Sequence, residues 1–290
     1  GHEITLRINP GFGHGHSQKT NTGGEQSKHG IWYEQIEDCL LKATQHGLTV
    51  TGLHMHIGSG TDMEHLARVC GAMEQAALQV GRTLKSISAG GGLPIAYQEE
   101  EQTIDIEAYG RLWDETRKRL EARFGHKISL EIEPGRYLTA ESGYLLAEIR
   151  AVKQIGGNTF YLVDAGFNTL ARPILYGSYH PMAISRREGR PESREMLDVV
   201  VGGPLCESGD IFTQKEGGIV SKRTLPAAAE GDYLVIFCAG AYGVVMGSNY
   251  NSKPLPAEVL LDGDQAHCIR SRQTYEQMVE NESIPAWESA

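Results

Sequence analysis

"LTVTGLHMHIGSGTDMEHLARVCGAMEQAALQVGRTLKSISAGGG" (Leu48–Gly92) is the stretch on which the fold turns. Its opening run, Leu48–Ile57, has the apolar and β-branched content of a strand. Asp62–Val80 then places Met63, Leu66, Val69, Met73, Ala76 and Val80 on one helical stripe. Leu84–Ala89 is strand-like again and runs into three glycines. Strand, amphipathic helix and strand in succession make a βαβ unit, whose two strands lie parallel. The pattern continues in both directions. Upstream lie a strand at Glu3–Asn9 and a helix at Tyr33–His46, with Ile36, Leu40 and Ala43 at helical spacing and a stop at Gly47. Downstream lie a helix at Asp105–Phe124, with Ile106, Tyr109, Trp113 and Leu120 inward, and a strand at Lys127–Glu133. The class is α/β. Four strands and three helices are half of a (β/α)8 barrel or a small open sheet.

After about Gly143 the texture changes. Strand-like runs follow one another with turn signals between them: "YLLAEIRAVKQI", "FYLVDAGF", "MLDVVVGG", "DYLVIFCAG", "PAEVLLDG" and "AHCIRS". A short helix is expected near "TYEQMVEN", and "SRREGRPESRE" (Ser185–Glu195) reads as a solvated charged loop. The expected organisation is residues 1–143 as a partial barrel and residues 144–290 as a β-rich domain.

The composition narrows the function. A net charge of −10 over 290 residues disfavours wrapping nucleic acid and favours a small-molecule site. The five cysteines, Cys39, Cys70, Cys206, Cys238 and Cys268, show no C-x-x-C spacing, so neither a disulfide framework nor a zinc ribbon is implied. A reducing, cytoplasmic setting fits. No apolar run is long enough to span a membrane.

In parallel α/β folds, sites gather at the carboxyl ends of strands. Here those ends read "NPGFGHGH", "HMHIGSG", "AGGG" and "EPGR", in order. "AGGG" (Ala89–Gly92) has neither the dinucleotide fingerprint nor the P-loop spacing. Its bare backbone suits an anion cradle, with a flexible turn as the alternative. His54 and His56 share one strand face. A metal pair is conceivable, but simple hydrogen bonding is favoured for His14, His16 and His54, whereas His56 is placed to face a ligand. Glu131 and Glu133 also share a face; a protonated ring nitrogen or Arg136 would partner the carboxylate, the plain alternative being a Glu–Arg salt bridge. Further on, Arg172 and Tyr176 lie four apart, and Tyr242 stands between glycines. Arg172 carries most information, since arginine grips carboxylates bidentately. "GPLCESGD" sets Cys206 and Glu207 on a turn.

Taken together and in order, "HMHIGSG", "AGGG", "EPGR", "RPILYGSYH", "GPLCESGD" and "GAYG" resemble diaminopimelate decarboxylase, a pyridoxal-phosphate enzyme family of the alanine-racemase-like barrel group. "RINPGFGHGHSQKTNTGGEQSKHGI" and "GSNYNSKP" strengthen the likeness, which runs from about residue 3 to about residue 280. The resemblance implies a barrel followed by a β domain, pyridoxal 5'-phosphate as cofactor, and decarboxylation of meso-2,6-diaminopimelate to L-lysine. It also implies residue roles. Ser59, Gly91, Gly92 and the Glu133–Arg136 loop, Gly135 included, would hold the cofactor phosphate. His56 would stack on the pyridine ring and Glu133 would pair with the ring nitrogen. Arg136, Arg172 and Tyr176 would bind the distal end of the amino-acid substrate. Glu207 would recognise substrate, Tyr242 would touch cofactor and substrate, and Cys206 would be the proton donor. In this family the Cys-Glu segment reaches into the partner subunit's site, so the resemblance implies a homodimer with shared active sites.

Two departures go with the resemblance. The family's Schiff-base lysine lies in a short motif on an early barrel strand, and no such motif occurs here; Lys28 matches a different segment. With half a barrel and Gly1 in first place, the expectation is that roughly the N-terminal third lies outside this chain and that the chain alone is inactive. Gly60 differs mildly from common family text. The alternative readings are another pyridoxal-phosphate decarboxylase acting on a basic amino acid, a non-catalytic regulatory partner of an intact homologue, and, more remotely, a metal hydrolase using the histidines.

Overall fold

The computed structural model describes residues 1–13, 21–59, 62–101, 103–189, 191 and 193–288. His14, His16 and Gly60 lie outside the described residues. The chain divides into two units, Gly1–Ala140 and Glu141–Ala290.

The first unit is the repeated βα pattern. Its elements are β1 (His2–Asn9), β2 (Ile31–Trp32), α1 (Ile36–Gln45), β3 (Leu48–His54), α2 (Met63–Val80), β4 (Ser86–Ser88), α3 (Ile106–Phe124), β5 (Ser129–Glu131) and the short α4 (Gly135–Thr139). The strands form one parallel sheet in the order β2-β1-β3-β4-β5. Only β2 was absent from the sequence reading; two residues are too few to show a period.

The helices begin and end where local chemistry stops the backbone from fraying. The Asp62 carboxylate accepts from the His65 N–H at 2.9 Å, opening α2, and Gly81 closes it with φ 75°. Asp105 accepts from the backbone N–H groups of Glu107 and Ala108, opening α3, and Gly125 ends it in the left-handed conformation. The buried stripe of α2 is Leu66, Val69, Cys70, Met73, Ala76 and Ala77. That of α3 is Tyr109, Trp113, Thr116, Leu120 and Phe124. Ile106, expected to point inward, is exposed. It is the first residue of α3, and helical side chains lean toward the N-terminus, so Ile106 leans past the helix end.

The register of the sheet sorts its two faces. Leu6, Leu53, Ile87 and Leu130 stand side by side across β1, β3, β4 and β5 and pack into the core that the helices share. One residue further along, Arg7, His54, Ser88 and Glu131 are likewise in register. Successive side chains alternate, so this polar row occupies the opposite face. The sheet is therefore greasy toward its helices and polar on its other side.

The second unit is mostly β. It contains β6 (Leu145–Ile155), β7 (Asn158–Val163), α5 (Arg172–Tyr176), β8 (Met182–Ser185), β9 (Met196–Gly202), β10 (Gln214–Lys215), β11 (Ile219–Val220), β12 (Arg223–Pro226), β13 (Tyr233–Ile236), β14 (Glu258–Asp262), β15 (Gln265–Arg270) and α6 (Tyr275–Val279). Six strands pair in the order β12-β9-β7-β6-β13-β8, antiparallel except for β7 beside β9. Ile149, Tyr161, Leu170, Val199, Val201, Leu234 and Ile236 fill its core. Buried Tyr161 stays satisfied because its hydroxyl donates to the Pro226 carbonyl and accepts from the Ala228 N–H. The helix expected near Thr274 is α6, opened by a reciprocal Thr274–Gln277 capping box.

The Ser185–Glu195 segment is more than a solvated loop. The Arg186 guanidinium meets the fully buried Asp232 carboxylate at 2.8 Å, and Asp232 also accepts from the Arg187 and Ala229 N–H groups. A buried carboxylate requires such partners, and the loop supplies them.

Candidate active site

The polar face of the parallel sheet ends in the loops that the sequence singled out. The Ala89–Gly92 loop is fixed by its neighbours on either side. Met55 N–H donates to the Ser88 carbonyl, Ala89 N–H to Glu131, and Glu133 N–H to Gly90. The loop is thus tied by backbone hydrogen bonds at Ala89 and Gly90. A Cβ on Gly92 would sit 2.2 Å from the Gly58 carbonyl oxygen, with φ at +95°, and a Cβ on Gly91 would meet the Glu133 carbonyl at 2.9 Å. Glycine is required at both positions, because three strand-end loops converge there. Gly135 differs: it opens α4, and a Cβ there would meet nothing. Ser59 is half-buried just beyond Gly58.

His56 borders this meeting of loops. Its Cε1 lies 3.2 Å from where a Gly92 Cβ would be, and its Nδ1 is buried without a partner. Burial, helped by the Arg7 charge, pushes the His56 imidazole down to about 4. His56 is thus a neutral, flat ring at neutral pH.

Two strand positions earlier, His54 Nε2 lies 3.1 Å from a Glu133 carboxylate oxygen. Arg7, beside His54 in the register, donates to the His56 carbonyl at 3.3 Å. Burial lowers the Arg7 guanidinium while the Glu133 charge pulls it back up. The Glu133 carboxylate, for which the sequence offers a protonated ring nitrogen or Arg136 as partner, has His54 as its close side-chain partner. Buried Arg136 instead donates to the Tyr97 hydroxyl at 3.1 Å. Glu131 belongs to the same polar row and is exposed. Among the described residues, no group of three or more His, Cys, Asp or Glu side chains is arranged to hold a metal ion.

In the second unit, Arg172 and Tyr176 open and close α5, so they share a helix face. Buried Arg172 donates from Nη1 to His180 Nε2 at 2.9 Å, while His180 Nδ1 donates to the Phe237 carbonyl at 2.9 Å. This pair of bonds fits the neutral tautomer with its proton on Nδ1. The Arg172 guanidinium also lies 6.0 Å from the Tyr242 ring centroid. Tyr242 has φ 62° and Cys238 φ 57°, left-handed values that ordinary side chains adopt at a cost of order 1–3 kcal/mol.

The Cys206 turn is built around Asp210, which is buried and accepts from the backbone N–H groups of Phe167 and Leu205 at 2.8 Å each. A Cβ at Gly203 would fall 2.2 Å from the Asp210 carboxylate. Burial raises the Asp210 carboxyl, although both backbone bonds oppose that shift. Cys206 is exposed and held through its N–H to the Asn251 side-chain oxygen. Glu207 lies 3.4 Å from the Tyr250 hydroxyl.

The sequence reading missed Arg7, Tyr97, His180, Asp210 and Asn251 as site supports, and it set His54 aside. The i,i+2 spacing of His54 and His56 was the one available signal, since it puts both on the polar face. The other residues act through lateral register or loop closure, which a single sequence does not display.

The parallel βα sheet with its glycine-lined strand ends, neutral histidine and carboxylate belongs, by comparison with known proteins, to the class of pyridoxal-phosphate-dependent decarboxylases. The family model described as "Pyridoxal-dependent decarboxylase, pyridoxal binding domain" matches residues 1–140. More narrowly, the chain belongs to the diaminopimelate decarboxylase family. It is 54% identical over 280 residues to diaminopimelate decarboxylase of Escherichia coli K12, covering 96% of this chain and 67% of that protein. A crystal structure of diaminopimelate decarboxylase superposes with a TM-score of 0.93 at 54% identity, covering 97% of this chain and 67% of the other. The Helicobacter pylori enzyme complexed with L-lysine superposes with a TM-score of 0.79 at 31% identity, covering 97% of this chain and 66% of the other. The chain thus spans about two thirds of the length of these relatives.

Proposed function

We propose that this chain's residues serve the decarboxylation of meso-2,6-diaminopimelate to L-lysine, with pyridoxal 5'-phosphate bound at the strand ends of the first unit. The observation that carries the reading is the glycine cradle beside His56. Gly91 and Gly92 sit where three strand-end loops meet and no side chain fits, the buried Nδ1 of His56 lies beside them without a partner, and glycine-lined strand ends of this kind suit an anion. When bound, the cofactor supplies an electron sink for the charge left on carbon as carbon dioxide departs.

The chain's own groups do the rest. Gly91, Gly92, Ser59 and the Glu133–Arg136 loop, Gly135 included, hold the phosphate. Neutral His56 stacks on the pyridine ring without placing a second positive charge against a protonated nitrogen. Glu133 accepts the ring nitrogen's proton in a hydrogen bond. Arg172, kept in place by His180, binds the distal carboxylate together with Tyr176, and Tyr242 contacts the substrate. Glu207 pairs with a substrate ammonium. The Cys206 thiol gives up the proton that takes the place of the lost carboxylate. Arginine is suited to a carboxylate-ended substrate, whereas a substrate ending in a guanidinium or amine calls for an acidic pocket; this favours diaminopimelate over arginine or ornithine.

The same reading includes a cytoplasmic homodimer in which each Cys206–Glu207 pair serves the partner's site; a monomer in sedimentation equilibrium would contradict it. It also includes a negative expectation. None of the lysines in these 290 residues lies in the family's Schiff-base motif, so the 290-residue chain by itself should not turn over. The test adds pyridoxal phosphate to that chain, follows absorbance, and treats it with borohydride. No specific lysine modification and no carbon dioxide release are expected. A single modified lysine together with decarboxylation would overturn this expectation.

A further inference from the structure

We propose that His54 is a positioning residue that holds the Glu133 carboxylate toward the cofactor's ring nitrogen. The inference rests on the reading of Glu133 given above and extends it to a second residue.

The geometry assigns His54 this task in three steps. First, the strand register puts His54 on the polar face of the sheet, next to Arg7 on one side and Ser88 on the other. Second, its Nε2 lies 3.1 Å from Glu133, whose side chain is otherwise 60% exposed, while the His54 side chain is 12% exposed. The buried partner anchors the exposed one. Glu133 lies beyond the end of β5, on a loop that cannot orient a carboxylate by strand geometry alone. Third, His54 Nδ1 is buried with no partner. A proton there would be an orphaned donor, whereas a proton on Nε2 meets Glu133. Burial therefore selects the tautomer that donates to the carboxylate. Arg7, next to His54 in the register, adds a positive charge that interacts with Glu133.

A ring-nitrogen role has a readout that general damage to the site does not move. Pyridoxal phosphate and its deaza analogue, in which carbon replaces the ring nitrogen, share every other contact. The experiment measures the dissociation constant of each for the full chain by equilibrium dialysis and takes their ratio as the signal. In His54→Phe the preference for pyridoxal phosphate should fall about 10-fold, the scale of a lost hydrogen bond to a charged group. His54→Gln, which retains an N–H able to reach the carboxylate, should restore most of it. Glu133→Gln should remove the preference, and adding His54→Phe to it should change nothing more. His54→Asn, polar but too short to reach, reads the same ratio if the Phe variant fails to fold.

Loss of the preference in Glu133→Gln with no loss in His54→Phe or His54→Asn would overturn the role of His54 and leave that of Glu133 intact. An unchanged preference in Glu133→Gln would overturn the Glu133 reading, and this inference with it. A His54→Phe effect that persists undiminished on Glu133→Gln would show that His54 acts by another route, and would also overturn the proposal.

Discussion

At the residue scale, the first unit separates two histidines that look interchangeable in "HMH". Both project from the polar face, yet His56 borders the glycine cradle and His54 meets a carboxylate. The His56 shift has a measurable consequence. Its folded pKa, about 4, lies below the ordinary histidine value of 6.5. The unfolded chain therefore binds a proton that the folded chain refuses, and stability falls as pH drops from about 6.5 toward 4. The loss amounts to up to roughly 3 kcal/mol. Urea unfolding at pH 7.5 and pH 5 should show it, and His56→Phe should flatten the dependence; an equal slope in both proteins would contradict the assignment. Cys206 gives a kinetic prediction. In the protein expressed from its natural reading frame, Cys206→Ser should lower kcat roughly 100- to 10,000-fold while leaving cofactor affinity within about twofold. A normal kcat would remove Cys206 as the proton donor. Residue types in order were enough to nominate His56, Glu133, Arg172 and Cys206, because each stands in a short polar stretch at a strand end or turn. Their supports escaped notice because Arg7 reaches His54 only through the pairing of β1 with β3, and His180 reaches Arg172 only through the turn after α5.

At the element scale, helices and strands were legible where a period of 3.6 or 2 ran for several turns, as in α2 and α3. The expected β-α alternation holds through the first unit, and the second unit is β-rich as expected. What escaped were pieces too short for a period: β2, β8, β10, β11 and β12, and the short helices α4 and α5. The Cys206 turn shows how a loop can be as specific as a helix. The Asp210 carboxylate closes it through two backbone N–H groups, and Gly203 leaves room for that carboxylate. Asp210→Ala should leave those donors unpaired and cost about 1–3 kcal/mol in chemical unfolding. In the protein expressed from its natural reading frame it should also lower kcat, since the turn that carries Cys206 loses its anchor. Retention of full stability would show that the turn is held elsewhere.

At the scale of the whole molecule, the residues of the proposed chemistry divide between two units. The parallel unit has the glycine cradle and the carboxylate, and matches the pyridoxal-binding domain over its full extent, residues 1–140. The β-rich unit carries the arginine and the cysteine. Fold class and family were readable from the sequence because six short stretches kept their order over nearly the whole chain. Assembly was not readable from residues alone, since an exposed Cys206 looks the same whichever subunit it serves. The central claim concerns chemistry at one carbon of one substrate. The direct measurement is carbon dioxide release by the protein expressed from its natural reading frame, with pyridoxal phosphate, from meso-diaminopimelate, L-lysine, L-ornithine and L-arginine in parallel. Release from meso-diaminopimelate alone, with L-lysine as product, is the predicted result; faster release from ornithine or arginine would contradict the account.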